Sequence, residues 1–432
     1  PPRSTLFPYT TLFRSNRQGG EMEFHLRAMF RAAVESAMPA RVLPPLLEGV
    51  SGPVWLTGAG KASAGMAAAA APMLDIRQGA VVTLRDAPVP GDIAGIDVMF
   101  ASHPLPDESS REAAERMLGI ARAAAAVPGA TLICLLSGGG SALMSLPPSG
   151  VTGAVKAGLI RDMLAAGSPI QDINCVRRHL SRIKGGRLAA AAFPARVMTF
   201  AISDVVGDAP ADIASGPSVP DPTSLAQAAH ALARSGIRPH PALIEALSGP
   251  DAETPFPGDS RIGDCRFFLA ASGSTALAAA AAVAPLPDVV NLGAGIIGDS
   301  RAAAAEHARL VLELRSTGRR CVILSGGETT TVIRGPGRGG SNTEFLLALA
   351  AELQGVRDIW AIAADTDGID GRGGHAGAWF GPDLVMEPGL ADKAAEFLAQ
   401  SDSGSFFDQA GLLVRTGPTG TNVNDFRAII VG

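Results

Sequence analysis

The sequence predicts an α/β protein whose strands are mostly parallel and buried. Short apolar runs alternate along the chain with Ala-rich stretches of helical length. The runs show no in–out polar alternation, as expected of strands covered on both faces. Most of them end in a glycine-rich or polar loop, the usual exit from such a strand.

Taken in order, residues 23–38 place Phe24, Leu26, Met29, Phe30 and Val34 at helical spacing, and Pro39 ends that helix. The run VWLT at 54–57 is a strand that enters Gly58-Ala59-Gly60-Lys61 and then an Ala-rich helix. VVTLR and VMFAS follow as strands, then a loop with His103-Pro104 and a helix over 109–126. TLICLLS leads into the turn Gly138-Gly139-Gly140. A second cycle starts with VMTFAISD at 197–204 and continues through FFLAAS, VVNLG, a helix over 300–315, CVILSGG, a helix near 342–354 and DIWAIAAD. The chain closes as strand, glycine turn, strand in GLLVRTGPTGTNVNDFRAIIVG. This pattern predicts two Rossmann-like α/β domains with an inter-domain cleft. Their expected bounds are 22–240 and 263–432, with the polar, Pro-rich stretch 241–262 as linker. Residues 1–21 are set apart, because TLFPYTTLFRS at 5–15, with the chain's one tyrosine, Tyr9, resembles a translated sequencing adapter rather than native sequence.

Composition narrows the function. Net charge is −5 and the basic residues form no block, which argues against a nucleic-acid surface. No apolar run is long enough to span a membrane. Four dispersed cysteines without a CxxC pair point away from disulfides and zinc and toward a reducing, cytoplasmic setting. Cys175, close to Arg177, is the one candidate reactive thiol. A small-molecule partner fits best, and a homodimer is compatible with the sequence.

In an open α/β sheet, ligands gather beyond the carboxyl ends of the strands, so the strand-end loops carry the candidate chemistry. Gly58 and Gly60 with Lys61 could approach a phosphate, although the spacing completes neither a Walker A loop nor GxGxxG. Lysine is scarce here, with only Lys61, Lys156, Lys184 and Lys393, which gives Lys61 added weight. Ser137, Gly138, Gly139, Gly140 and Ser141 form a second phosphate-binding candidate. Asp204 ends the strand at 197–204 and could hold Mg²⁺ or accept a proton, with Asp208 in support. Arg338 stands in a glycine loop where a cation could meet a transferring phosphoryl group. The acidic loop from Asp365 through Asp367 to Asp370 fails the EF-hand register and fits Mg²⁺ or substrate hydroxyls better. Arg177, Arg178, Lys184 and Arg187 crowd cations around His179, suiting an anionic substrate.

The blocks GAGKAS, SHPLPDESS, LLSGGGSAL, INCVRRHLSRIKGGRLA, ISDVVGDAPADIASGPSVPDPT, LSGGET, GRGGSNTEF, DTDGIDG and TGPTGTNVNDF occur in this order. Together they resemble the class II glycerate kinases, which pair an N-terminal kinase-associated domain with a C-terminal MOFRL domain. The resemblance runs from about residue 23 to the end. It implies ATP- and Mg²⁺-dependent phosphorylation of D-glycerate at its 2-hydroxyl. Lys61, Asp204 and Arg338 would be the catalytic residues, and Asp204 and Asp367 the metal ligands. Arg177, Arg178, Lys184, Asn342 and Asp370 would bind the substrate. Ser341 departs from the family's GRGGRN, leaving Arg338 as the arginine of that block. Relatives often carry the name hydroxypyruvate reductase, so an NAD(P)H-dependent reductase is one alternative. A non-catalytic sugar-acid sensor is another.

Overall fold

The computed structural model describes residues 20–432; the adapter-like segment and Tyr9 lie outside them. The described chain forms two compact units. One comprises Met38–Ser272 with Gly420–Asn422 and is called the parallel unit. The other, the mixed unit, joins the described residues up to Ala37 to Gly273–Thr419 and Val423–Gly432.

The parallel unit is built on β1 (Pro53–Ala59), β2 (Asp75–Leu84), β3 (Ile96–Ala101), β4 (Thr131–Ser137), β5 (Arg196–Ile202) and β6 (Cys265–Ala271). Their order is β3-β2-β1-β4-β5-β6, and every pairing is parallel. Strand β4 is buried along its whole length, as its unbroken apolar run requires. Helix Glu108–Ala125 covers one face through Ala113, Met117, Ile120 and Ala124. Its start is fixed by Asp107, whose carboxylate accepts from Ser110 N at 3.0 Å, while Ser110 Oγ accepts from Asp107 N at 3.1 Å. That reciprocal cap accounts for the PDESS part of the sequence block.

The mixed unit holds β7 (Val289–Asn291), β8 (Ile296–Asp299), β9 (Cys321–Thr330), β10 (Ile359–Asp365), β11 (Gly377–Phe380), β12 (Leu413–Val414) and β13 (Asp425–Val431). The order is β12-β11-β10-β13-β9-β7, with β8 also on β9. Only β7 and β8 pair with β9 in parallel; the other pairings are antiparallel. The α/β class therefore holds, while the second sheet is mixed. Helices Ser300–Ser316 and Ser341–Glu352 cover it, and nine residues in a row, from Asn342 to Ala350, are buried.

The expected boundary shifts. Residues 241–262 contain helix Pro241–Ser248, and Arg187 clamps the loop beyond it through the carbonyls of Asp251, Ala252 and Glu253. Strand β6 then extends the parallel sheet, so that unit runs to Ser272. Helix Glu21–Ser36 belongs to the mixed unit, where Phe30 meets Phe426 at 5.8 Å between ring centroids. No helix among the described residues is long and apolar enough to cross a membrane.

Candidate active site

The parallel unit's strand order reverses between β1 and β4, the place where open parallel sheets leave a crevice at their carboxyl ends. The loops at that point are Gly60–Ser63 and Ser137–Ser141. They are laced together: Lys61 N donates to Gly138 O at 2.8 Å and Ala62 N to Ser137 Oγ at 3.0 Å. Gly60 N donates to Val82 O at 3.1 Å. Gly60 has φ 137°, and a Cβ there would collide with Ser137. Gly58 lies inside β1, where a Cβ would come within 2.9 Å of Leu135 O. The expected phosphate role of Gly58 and Gly60 is thereby corrected. These glycines permit close packing of backbone, and the amides of Gly60, Lys61 and Ala62 already have protein acceptors.

What this packing presents is a group of side chains around the β4 turn. A Cβ on Gly138 would overlap the Asp204 carboxylate, and Asn422 Nδ2 donates to Asp204 Oδ2 at 3.0 Å. On the next residue, a Cβ would lie 3.2 Å from His103 Cδ2 and 3.6 Å from Lys61 Cγ. Lys61, His103 and Asp204 thus border Gly138–Gly139, with Asp204 delivered by the end of β5. Only tertiary packing brings His103, and Asn422 from the hydroxyl-rich turn at 416–422, to this turn.

The turn is buttressed from below. Ala214, Ser215 and Gly216 are consecutive left-handed residues with φ 52°, 60° and 58°. Two of them carry side chains, which is strained backbone of the kind that clusters at functional sites. Gly185 N and Gly186 N hold them through Ser215 O at 3.0 Å and Gly216 O at 2.7 Å, and Ser215 Oγ meets Ser141 Oγ at 2.8 Å. The IKGGR and ASGP blocks are therefore two sides of one interlock.

The cation-rich segment divides in two. Arg178 is internal: it pairs with Asp221 at 2.9 Å and Asp212 at 3.1 Å and is buried. His179 contacts Cys175 O at 2.9 Å and Glu253 at 3.2 Å. The substrate role expected for Arg178 gives way to a structural one, and Cys175 is a buried thiol whose pKa burial pushes up, not a reactive one. Arg177 and Lys184 instead line a cavity of about 480 Å³ beside Gly139, together with Ser141, Lys156 and Arg161. Lys184 Nζ donates to Ser141 O and Met144 O at 2.8 Å each, and Arg177 to Asn174 Oδ1 at 2.9 Å. Burial, with Lys156 and Arg177 nearby, lowers the Lys184 pKa well below its ordinary value. Burial, with Arg177 and Arg187 nearby, lowers that of Lys156 to about 7.

In the mixed unit, the Asp370 carboxylate accepts from Asn342 N at 3.0 Å, Thr343 N at 2.9 Å and Thr343 Oγ1 at 2.9 Å. It caps helix Ser341–Glu352, whose N-cap is Gly340 and has no side chain to offer. Asn342 is fully buried and donates to Asp425 Oδ1 at 2.6 Å, while Arg427 donates to Asp425 Oδ2 at 2.6 Å. Asn342 and Asp370, expected to bind substrate, are thus parts of a buried support network. Asp367 makes a local turn, its carboxylate accepting from Ile369 N at 2.8 Å. Arg338 is exposed, with its guanidinium 3.4 Å from Ser405 Oγ and 3.6 Å from Asp408.

Comparison with known proteins accords with this geometry. Residues 25–248 match the family described as Domain of unknown function (DUF4147), and residues 321–425 the MOFRL family. A "Putative hydroxypyruvate reductase" of Agrobacterium vitis is 44% identical over 421 residues, covering 94% of each chain. A "D-glycerate 2-kinase" of Thermotoga maritima is 32% identical over 93% of this chain and 96% of that protein. The crystal structure of a Thermotoga maritima glycerate kinase superposes with a TM-score of 0.85 at 30% identity, covering 95% of this chain and 99% of the other. The chain belongs to the class II glycerate kinase family, with a DUF4147 region followed by a MOFRL region.

Proposed function

We propose that the protein transfers the γ-phosphoryl group of ATP to the 2-hydroxyl of D-glycerate, giving 2-phosphoglycerate and ADP. The observation that carries this reading is the placing of Lys61 and Asp204 around one glycine turn at the sheet's switch point. Phosphoryl transfer asks for positioning and charge stabilisation more than for covalent chemistry. Lys61 supplies the cation facing the transferring group. The hydroxyl oxygen bonds to the γ-phosphorus as the β–γ bridging bond breaks, and the hydroxyl proton passes to the Asp204 carboxylate.

No group of three metal-binding side chains occurs among the described residues. Mg²⁺ commonly binds through one or two carboxylates plus substrate phosphates, so a single strand-end carboxylate beside the phosphates is enough for it. Asp204 is the residue at this strand end that would hold it, and the ion would neutralise phosphate charge.

The reductase name borne by some relatives is less well supported by this geometry. A dinucleotide's pyrophosphate is usually held by free amides in the first strand–helix turn. Here the amides of Gly60, Lys61 and Ala62 are engaged, and Ser63 fills the third glycine position, its Oγ donating to Gly60 O and Val82 O at 2.8 Å each.

The test is glycerate-dependent ADP release with Mg²⁺, with the product's phosphate position read by phosphorus NMR. Formation of 2-phosphoglycerate is expected. A product phosphorylated at the 3-hydroxyl, or NADH oxidation with hydroxypyruvate in place of ADP release, would overturn the proposal.

A further inference from the structure

The cavity beside Gly139 has a one-sided wall. Lys156, Arg161, Arg177 and Lys184 contribute cations, His103 adds an imidazole, and no Asp or Glu lines it. Leu105, Ala157, Ile160 and Leu164 also line it and give it apolar surface suited to a short carbon chain.

Lys156 is the anomaly in that wall. It is 5% exposed, and its Nζ meets no hydrogen-bond partner. It lies in the first turn of helix Gly153–Ala165, which has no acidic residue there to offset it. A cation at the positive end of a helix dipole is disfavoured, and so is an unpaired buried charge. Lys184 differs, since two carbonyls hold its ammonium, and Arg177 has Asn174. Burial, unsatisfied donors, dipole and neighbouring charge all act against a charged Lys156, and a bound anion would satisfy its donors and offset the positive charge around it.

Resting on the proposed kinase reading, we infer that Lys156, with Arg177, binds the carboxylate of the acceptor acid, making this cavity its specificity pocket. The anion is a carboxylate rather than the donor's phosphates. The cavity is about 480 Å³, and part of its lining is apolar. The apolar lining suits the carbon chain of an organic acid better than a triphosphate, which presents no apolar surface to it. Gly139, which Lys61 and His103 border, forms part of the wall, so an acid gripped at Lys156 has the reactive turn as a neighbour.

The experiment compares wild type, Lys156→Met and Lys156→Arg, varying D-glycerate and ATP separately. Lys156→Met should raise KM for glycerate about ten- to a hundredfold, the worth of one charge-assisted contact. KM for ATP should stay within about threefold, since a change at one contact leaves binding at a separate, uncoupled site intact. Lys156→Arg should recover part of the loss. An unchanged KM for glycerate in a folded Lys156→Met protein would overturn the inference, as would a rise confined to KM for ATP. Calorimetric titration of D-glycerate alone separates the two proposals. If wild type releases no ADP, the kinase reading fails, yet glycerate binding that weakens in Lys156→Met still upholds the carboxylate pocket. Equal binding by both proteins, or by neither, sinks it.

Discussion

The amide of Lys61 donates to the carbonyl of Gly138 across 2.8 Å, joining the loop after β1 to the turn after β4. That bond fixes where the Lys61 side chain leaves the backbone, and Gly60 makes it geometrically available. The two positions should therefore fail differently when mutated. Lys61→Ala should keep the melting temperature within about 2 °C and lower kcat at least about a hundredfold, as expected when transition-state charge loses its partner. Gly60→Ala, which needs a Cβ where Ser137 stands and a φ that alanine avoids, should lower stability by several degrees. Thermal melts and ADP-release kinetics on both variants check this. A stable, active Gly60→Ala protein would show that the lacing is dispensable.

Lys156 predicts a pH signature. Its pKa in the fold is lowered to about 7 from an ordinary 10.5, with burial the main cause. The charged and titratable groups around it are Arg161 on its own helix, Arg177 on helix Ile170–His179, Lys184 and Arg187 beyond that helix, and His103 after β3. Between about pH 7 and 10.5 the unfolded chain binds a proton there that the fold does not, so Lys156 makes stability rise with pH across that window. Below it the buried charge costs its full amount. Lys156→Met should therefore be more stable than wild type at pH 6, by about 1–4 kcal/mol, with the gap narrowing toward pH 10. At pH 8 glycerate binding should take up a proton in wild type and none in Lys156→Met, measurable by calorimetry in buffers of different ionisation enthalpy. Parallel stability curves for the two proteins would contradict this account.

The Asp370 cap predicts a variant that damages folding and spares kinetics. Asp370→Ala leaves Asn342 N, Thr343 N and Thr343 Oγ1 without their acceptor at a buried helix start. A loss of about 2–4 kcal/mol follows from the missing cap and the stranded donors. Both KM values should hold within about twofold below the melting transition. Urea unfolding together with substrate titrations tests this, and an unchanged midpoint with a raised KM would restore Asp370 to the substrate site.

Much of the architecture was legible in the sequence, because buried parallel strands leave unbroken apolar runs and their exits collect glycine. Strands β1 and β4 of the parallel unit follow that rule, running buried into Gly60 and Gly138, while β2 starts with polar, exposed residues and β6 is largely unburied. The scarcity of lysine was informative too, since Lys61, Lys156 and Lys184 all adjoin the β4 turn or its cavity. Tertiary pairing was not legible. Arg178 and Lys184 look alike in sequence, yet Asp212 and Asp221 neutralise one while the other lines a cavity. Gly58 and Gly138 likewise differ only in what stands opposite. The Pro-rich stretch 241–262 imitates a linker because its helix is short, although β6 still has to join the sheet after it.

Helix Glu21–Ser36 and strand β13 belong to the same unit, and β13 lies in the interior of its sheet, between β10 and β9. During synthesis the parallel sheet has all six strands once β6 has emerged. The helix made earlier has partners in helix Gly273–Ala281 and β10, but the mixed sheet stays open between β10 and β9 until residues 425–431 are made. Translation pauses or truncations before residue 425 would thus leave a six-stranded parallel sheet tethered to a sheet lacking an inner strand, with apolar edges open to chaperones and proteases.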